Sequence, residues 1–162
     1  MMSSDLKASG TQPKALAQQI VGKKCWRATF GYAGEVHLHC GAHVPYRTPK
    51  MAGKTKGAWR LGTSGTEWRM VTPQGEIRSR GKSEKQLEGF LKLLEGSLIN
   101  SFQVIGNVLT IKFSNNCKLQ VIPTPKDDEY DLPYWELFIP KRRHIAFGPH
   151  GKWFVGPSDT RS

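Results

Sequence analysis

After Gly22 the chain reads KKCWRATFGYAGEVHLHC (residues 23–40), and after Gly96 it reads SLINSFQVIGNVLTIKFS (residues 97–114). Each stretch follows an apolar helical turn that stops at its glycine. Leu16, Ile20 and Val21 precede Gly22, and Leu87, Phe90, Leu91 and Leu94 precede Gly96. The two glycines lie 74 positions apart, and Val36 and Leu38 then fall on Leu109 and Ile111 at an offset of 73. Further on, WRMVTPQGEI (residues 68–77) resembles WELFIPKRRHI (residues 135–145) at an offset of 67. Both carry Trp, an apolar pair, Pro five residues after the Trp, and Ile. Three landmarks in one order predict an internal repeat. The falling offset places an insertion of six or seven residues in the first copy, between its second strand and its Trp strand.

Local signals agree with that division. Ser83 and Gln86 have the spacing of a capping box, and the Leu87, Phe90, Leu91, Leu94 series lines one face of a helix. Pro13 suits a first helical turn, and Gly22 and Gly96 suit left-handed helix ends. Alternating runs predict strands at Cys25–Phe30, Glu35–Cys40, Leu98–Val104, Val108–Phe113, Lys118–Ile122, Trp135–Ile139, His144–Phe147 and Trp153–Val155, with Gly and Pro between them. The expected fold is α+β, mainly antiparallel β-sheet, built from two related helix-plus-strands repeats in one compact body. Repeat 1 covers 12–81 with a basic loop at 46–60, and repeat 2 covers 82–156. Residues 1–11 and 157–162 are expected to be flexible tails. A unit of about 70 residues buries too little surface alone, so the units must share a core.

The full chain has 162 residues, 24 Lys and Arg against 13 Asp and Glu, and a net charge of +11. Hydrophobic residues make up 38%, too many for a disordered chain, and no apolar run is long enough to span a bilayer. The polar N-terminus lacks a signal-peptide core, so the expected compartment is the cytoplasm. Cys25, Cys40 and Cys117 are odd in number, widely spaced and set in apolar runs, which reads as reduced, buried thiols.

Charge points to partners. Residues 1–50 carry a net +5, residues 51–100 a net +4 and residues 101–162 a net +2. Tyr46 to Arg60 (YRTPKMAGKTKGAWR) holds Arg47, Lys50, Lys54, Lys56 and Arg60 with no acid, bracketed by Tyr46 and Trp59. Basic residues interleaved with aromatics suit a phosphate backbone with stacked bases. A second basic turn, Lys141, Arg142, Arg143 and His144, interrupts the C-terminal Trp hairpin. The expected anion or nucleic-acid contacts are therefore Arg47, Lys50, Lys54, Lys56, Trp59, Arg60, Lys141, Arg142 and Arg143, with the two basic segments not required to adjoin.

Catalytic signals are weak. His37 and His39 share a strand face, and His43 follows, so the three are metal candidates, but no fourth ligand is evident. The His face is expected to meet solvent, with Cys40 in the core. Gly62 to Gly65 lacks the strand–turn–helix setting of a nucleophile elbow, and Gly53-Lys54-Thr55 lacks the upstream glycine of a phosphate loop. Asp127, Asp128, Glu129 and Asp131 read as a solvated loop. The sequence calls for no cofactor. The expectation is a small basic, non-enzymatic protein that binds nucleic acid or serves a nucleic-acid-processing complex. The alternative is an inhibitor or immunity-type protein that neutralises an acidic partner.

Overall fold

A computed structural model describes residues 11–31 and 34–158 of the chain. The proposed tails fall largely outside that range, as does the centre of the Gly31–Gly34 turn. The fold is mostly antiparallel sheet with a few short helices. In chain order the elements are α1 (Thr11–Ala17), β1 (Lys24–Phe30), β2 (Val36–Pro45), β3 (Thr55–Thr63), β4 (Trp68–Thr72) and β5 (Gly75–Arg78), followed by α2 (Glu84–Leu91), β6 (Ser97–Ile105), β7 (Val108–Phe113), β8 (Lys118–Val121), β9 (Trp135–Ile139), β10 (Arg143–Phe147) and β11 (Trp153–Pro157).

Among the described residues eleven strands form one sheet in the order β11-β10-β9-β3-β2-β1-β6-β7-β8-β4-β5. β1–β2–β3 and β6–β7–β8 are meanders joined through β1 and β6 at its centre, where Lys24 pairs with Leu98 and Cys25 with Ser97. The connections then cross over. β4, which follows β3, pairs with β8, and β9, which follows β8, pairs with β3. The sheet curls until distant strands meet. The Phe102 ring of β6 packs edge-on against Trp135 of β9 at 5.5 Å, and Phe30 of β1 lies 6.4 Å from Trp68 of β4.

Inward side chains alternate with outward ones, as a half-buried sheet requires. Trp135, Leu137 and Ile139 of β9 are buried, and so are Leu109, Ile111 and Phe113 of β7. The hydroxyl of Ser83 accepts from the Gln86 N–H, and the Gln86 side chain accepts from the Ser83 N–H, so the capping box forms. An eight-residue helix is not stable alone. Leu87 and Leu91 fix α2 by burial, with Leu94 in the turn that follows and Phe90 half-buried beside them.

Three expectations need correction. The basic stretch 46–60 is not one loop, because β3 begins at Thr55. Gly57, Trp59, Leu61 and Thr63 point inward while Lys56, Ala58, Arg60 and Gly62 stand between them. Gly57 lies against the β2 backbone, where an added Cβ would sit 2.5 Å from the Cys40 nitrogen. The acidic run is not simply solvated either. It forms a 3-10 turn, Pro125–Tyr130, capped by Thr124 and Asp127. Asp128 accepts from the Tyr134 hydroxyl and from the His150 N–H, and these two bonds hold its carboxyl below the usual range. Pro157, assigned to the tail, ends β11 and pairs with Arg143.

The β2–β3 hairpin is longer than the β7–β8 hairpin. β2 and β3 run ten and nine residues, whereas β7 and β8 run six and four. Beyond the bulge between Cys40 and His43, the pairs His43–Gly57, Val44–Lys56 and Pro45–Thr55 carry the hairpin past its neighbour. β9 meets β3 only over Arg60–Thr63. Among the described residues the Thr55–Trp59 edge of β3 therefore has no ladder partner on the β9 side. All three cysteines are free and buried.

Candidate functional site

The overhang of β3 beyond β9 leaves a groove of about 280 Å³. Its floor is apolar, from Val44, Ala58, Phe138 and Ile139. Five cations rim it: Arg47, Lys56 and Arg60 from the first basic segment, Lys141 and Arg142 from the second. The segments are far apart in the chain and meet because Arg60 pairs directly with Phe138. The β9–β10 turn brings Lys141 and Arg142 alongside. Both have left-handed backbones, with φ of 68° and 56°. That conformation costs a non-glycine residue on the order of 1–3 kcal/mol. The turn is pinned from behind, where the Ser158 N–H donates to the Arg142 carbonyl at 2.7 Å.

Planar groups line the same surface. The Arg60 guanidinium lies 4.5 Å above the Phe138 ring, and His144 stacks on Phe138 at 5.7 Å. The Lys56 ammonium sits 5.4 Å from the Tyr46 ring. Burial lowers the Lys56 pKa, and the Arg60 and Arg47 charges lower it further. These cations are pressed together at some electrostatic cost, which an anion would relieve. No Lys or Arg of the two basic segments enters any of the seven ion pairs found among the described residues, whereas His144 of the second segment meets Glu136 at 3.6 Å. Arg69, Arg78 and Arg80, on the β4–β5 side, are by contrast paired with Glu67 and Glu76.

The remaining expected contacts divide. Lys50 lies in the 3-10 turn Pro49–Met51, and Lys54 just after it; both are exposed and outside the groove, as is Arg143. Trp59 points the other way, into the core, and is 6% exposed. Its edge packs against Gly41, which has φ +76° and where an added Cβ would sit 3.0 Å from the Trp59 Cδ1. No face of that ring is free for a base. Phe138 and Ala58 were missed, although the alternation of β3 and β9 marks both as outward residues.

A second, wider cleft adjoins the groove and shares Arg60 and Phe138 with it. It holds Arg27, His37, His39 and Glu136. His37 is half-buried and meets Glu35 at 3.3 Å. His39 departs from the expected solvent exposure and is 4% exposed. Its Nδ1 accepts the Gly57 N–H at 3.0 Å, which assigns the ring proton to Nε2. Burial, then the Arg27 and Arg60 charges, pull its pKa down to about 3. His43 lies past the bulge and stacks on Trp26 at 3.7 Å. His39 and His43 both pack on the Trp26 ring while His37 meets Glu35, and among the described residues no group of three His, Cys, Asp or Glu side chains converges as a metal would need.

No protein-family model, curated protein or solved structure matches the chain. No helix among the described residues is long and apolar enough to cross a membrane.

Proposed function

We propose that this protein is a non-enzymatic nucleic-acid binder, or the nucleic-acid-contacting member of a processing complex, and that the β3–β9 groove holds the ligand. One observation carries the reading: five cations from two distant segments converge on one groove with no acid paired to them. Such a cluster favours a polyanion with regularly spaced charges. Arg60 stacked on Phe138 supplies a planar surface of the kind bases use.

Binding of a labelled oligonucleotide, followed by fluorescence anisotropy, tests this. Affinity should fall at least tenfold between 50 and 200 mM salt. The triple reversal Arg47→Glu, Lys56→Glu, Arg142→Glu should abolish binding while the thermal transition survives. Reversal of the acid-paired Arg78 and Arg80 should change affinity less than threefold. Absent binding at low salt, or binding indifferent to the groove variant, would sink the proposal. The second reading is an acidic protein partner. Its support is the unpaired Thr55–Trp59 edge, to which an extended chain could add as a strand.

We also infer that the chain arose by duplication of one helix-plus-strands unit. Reciprocal geometry at the β1–β6 junction supports this. The Gly22 N–H donates to Ile99 and the Gly96 N–H to Cys25, both at 2.7 Å, and both glycines have φ +92°. Bulges fall at matching places, Cys25/Arg27 and Ile99/Ser101. The crossed pairs correspond as well. Trp68 pairs with Val121 and Met70 with Leu119, while Trp135 pairs with Thr63 and Leu137 with Leu61. The groove then belongs to the insertion that distinguishes the first copy from the second.

A further inference from the structure

We propose, resting on the nucleic-acid reading, that the groove takes an unpaired nucleotide, with its base in the apolar slot against the free edge of β3 and its flanking phosphates on the cationic rim, so that the ligand is single-stranded. Three features lead there. The slot is small, about 280 Å³, and its floor of Val44, Ala58, Phe138 and Ile139 is apolar. A base held in a duplex is stacked on both sides and paired along its edge, and cannot enter such a slot. On the β9 side the β3 backbone lacks a ladder partner over Thr55–Trp59, so the N–H and C=O groups turned to that side, alternating with those that face β2, can hydrogen-bond a Watson–Crick edge exposed by strand separation.

The cations stand where the sugar-phosphate chain would pass. Lys141 and Arg142 project from the β9–β10 turn on one side, and Arg47 and Lys56 from the β2–β3 hairpin on the other. Arg60, over Phe138, marks the boundary with the adjoining cleft, where Glu35 and Glu136 stand beside Arg27 and His37, so the cationic path ends at the groove. Charge alone would attract a duplex as readily. The slot and the open strand edge make the distinction.

The test compares a labelled 12-nucleotide thymidine strand with a 12-base-pair duplex, using the full chain at 150 mM salt. The single strand should bind at least tenfold more tightly. Five phosphate contacts predict a salt slope of about −3.5 for the single strand, or roughly 100-fold between 50 and 200 mM. Ala58→Leu fills the slot and leaves every charge in place; it should weaken single-strand binding at least tenfold without changing that slope. Arg142→Gln, on an exposed turn, should lower affinity two- to fivefold and reduce the slope by about 0.7. Should Ala58→Leu fail to fold, a 12-mer of abasic sites replaces it. That ligand keeps the phosphates and should bind at least tenfold more weakly than thymidine.

Equal or tighter duplex binding, or an abasic strand that binds as well as thymidine, would overturn the slot while leaving the nucleic-acid reading in place. Polyglutamate bound in the groove with no oligonucleotide bound would overturn both, in favour of an acidic protein.

Discussion

His39 shows how a single side chain serves both the fold and the site. Its ring is sealed between β1 and β3, and its Nδ1 satisfies the Gly57 N–H that the bulge in β2 leaves over. Protonation at Nδ1 would break that bond and set a charge beside Arg27 and Arg60. Burial first, then the Arg27 and Arg60 charges, hold the folded pKa at about 3, against 6.5 in the unfolded chain. Between these values the unfolded state holds one more proton. Stability from His39 is complete above pH 6.5 and declines as pH falls toward 3, by about 1.4 kcal/mol per pH unit. Urea unfolding at pH 7.5 and 5.0 should show a loss of about 2 kcal/mol from this residue, before carboxylates begin to titrate. His39→Asn keeps an acceptor for Gly57 but has no proton to gain. We expect it to be about 1–3 kcal/mol less stable than the parent at pH 7.5 and to lose correspondingly less on acidification. An identical pH response in the two proteins would remove His39 from this role.

The β2–β3 hairpin decides where the site lies, and Gly57 decides how its strands meet. An added Cβ there would collide with backbone, 2.5 Å from the Cys40 nitrogen and 2.7 Å from the Trp59 carbonyl oxygen, so no rotamer change relieves it. Gly57→Ala should cost about 2–3 kcal/mol and lower the melting temperature by roughly 5–10 °C. Gly89→Ala, in α2 with open space around it, should instead stabilise by about 0.5–1 kcal/mol. Thermal melts of the two variants that move together would show that contact at Gly57 is not the cause. The same glycine explains why this segment misled the reading of its sequence. Gly53, Gly57 and Pro49 look like loop residues, yet Gly57 stands in a strand because two backbones approach there. Elsewhere local pattern was enough. The strands Val108–Phe113 and Trp135–Ile139 and the Ser83–Gln86 cap all depend on neighbours within a few residues, and each forms as its spacing predicts. The β3–β9 pairing depends on residues far apart in the chain. Alternation tells which side of β9 carries Phe138 but not which strand lies beside it, so the meeting of the two basic segments could not be foreseen.

At the scale of the molecule, the crossed hairpins bind the two halves of the chain more firmly than the central junction does. β1 and β6 pair over only two positions, Lys24–Leu98 and Cys25–Ser97. Each half also contributes strands to the other's edge, β4 to β8 and β9 to β3, and the Phe102–Trp135 and Phe30–Trp68 contacts close the core across the division. Cutting the chain after Gly81, in the exposed link between β5 and α2, leaves every strand whole but strips each fragment of its partner strands. Fragment 1–81 would expose Trp68 and Met70, and fragment 82–162 would expose Trp135 and Leu137, all buried to 1% or less in the intact chain. Burial of each such side chain is worth about 1.5–3 kcal/mol, comparable in sum to the whole stability of a small domain. Neither fragment should therefore unfold cooperatively alone, and an equimolar mixture should recover a single transition and the groove's affinity for oligonucleotide. The groove is the sharper readout, because Arg60 and Arg142 come from different fragments and meet only when β9 docks on β3. A fragment that melts cooperatively by itself would show that the crossed strands are ornament on a self-sufficient unit. A mixture that regains helix and sheet without binding would place the ligand outside the β3–β9 groove.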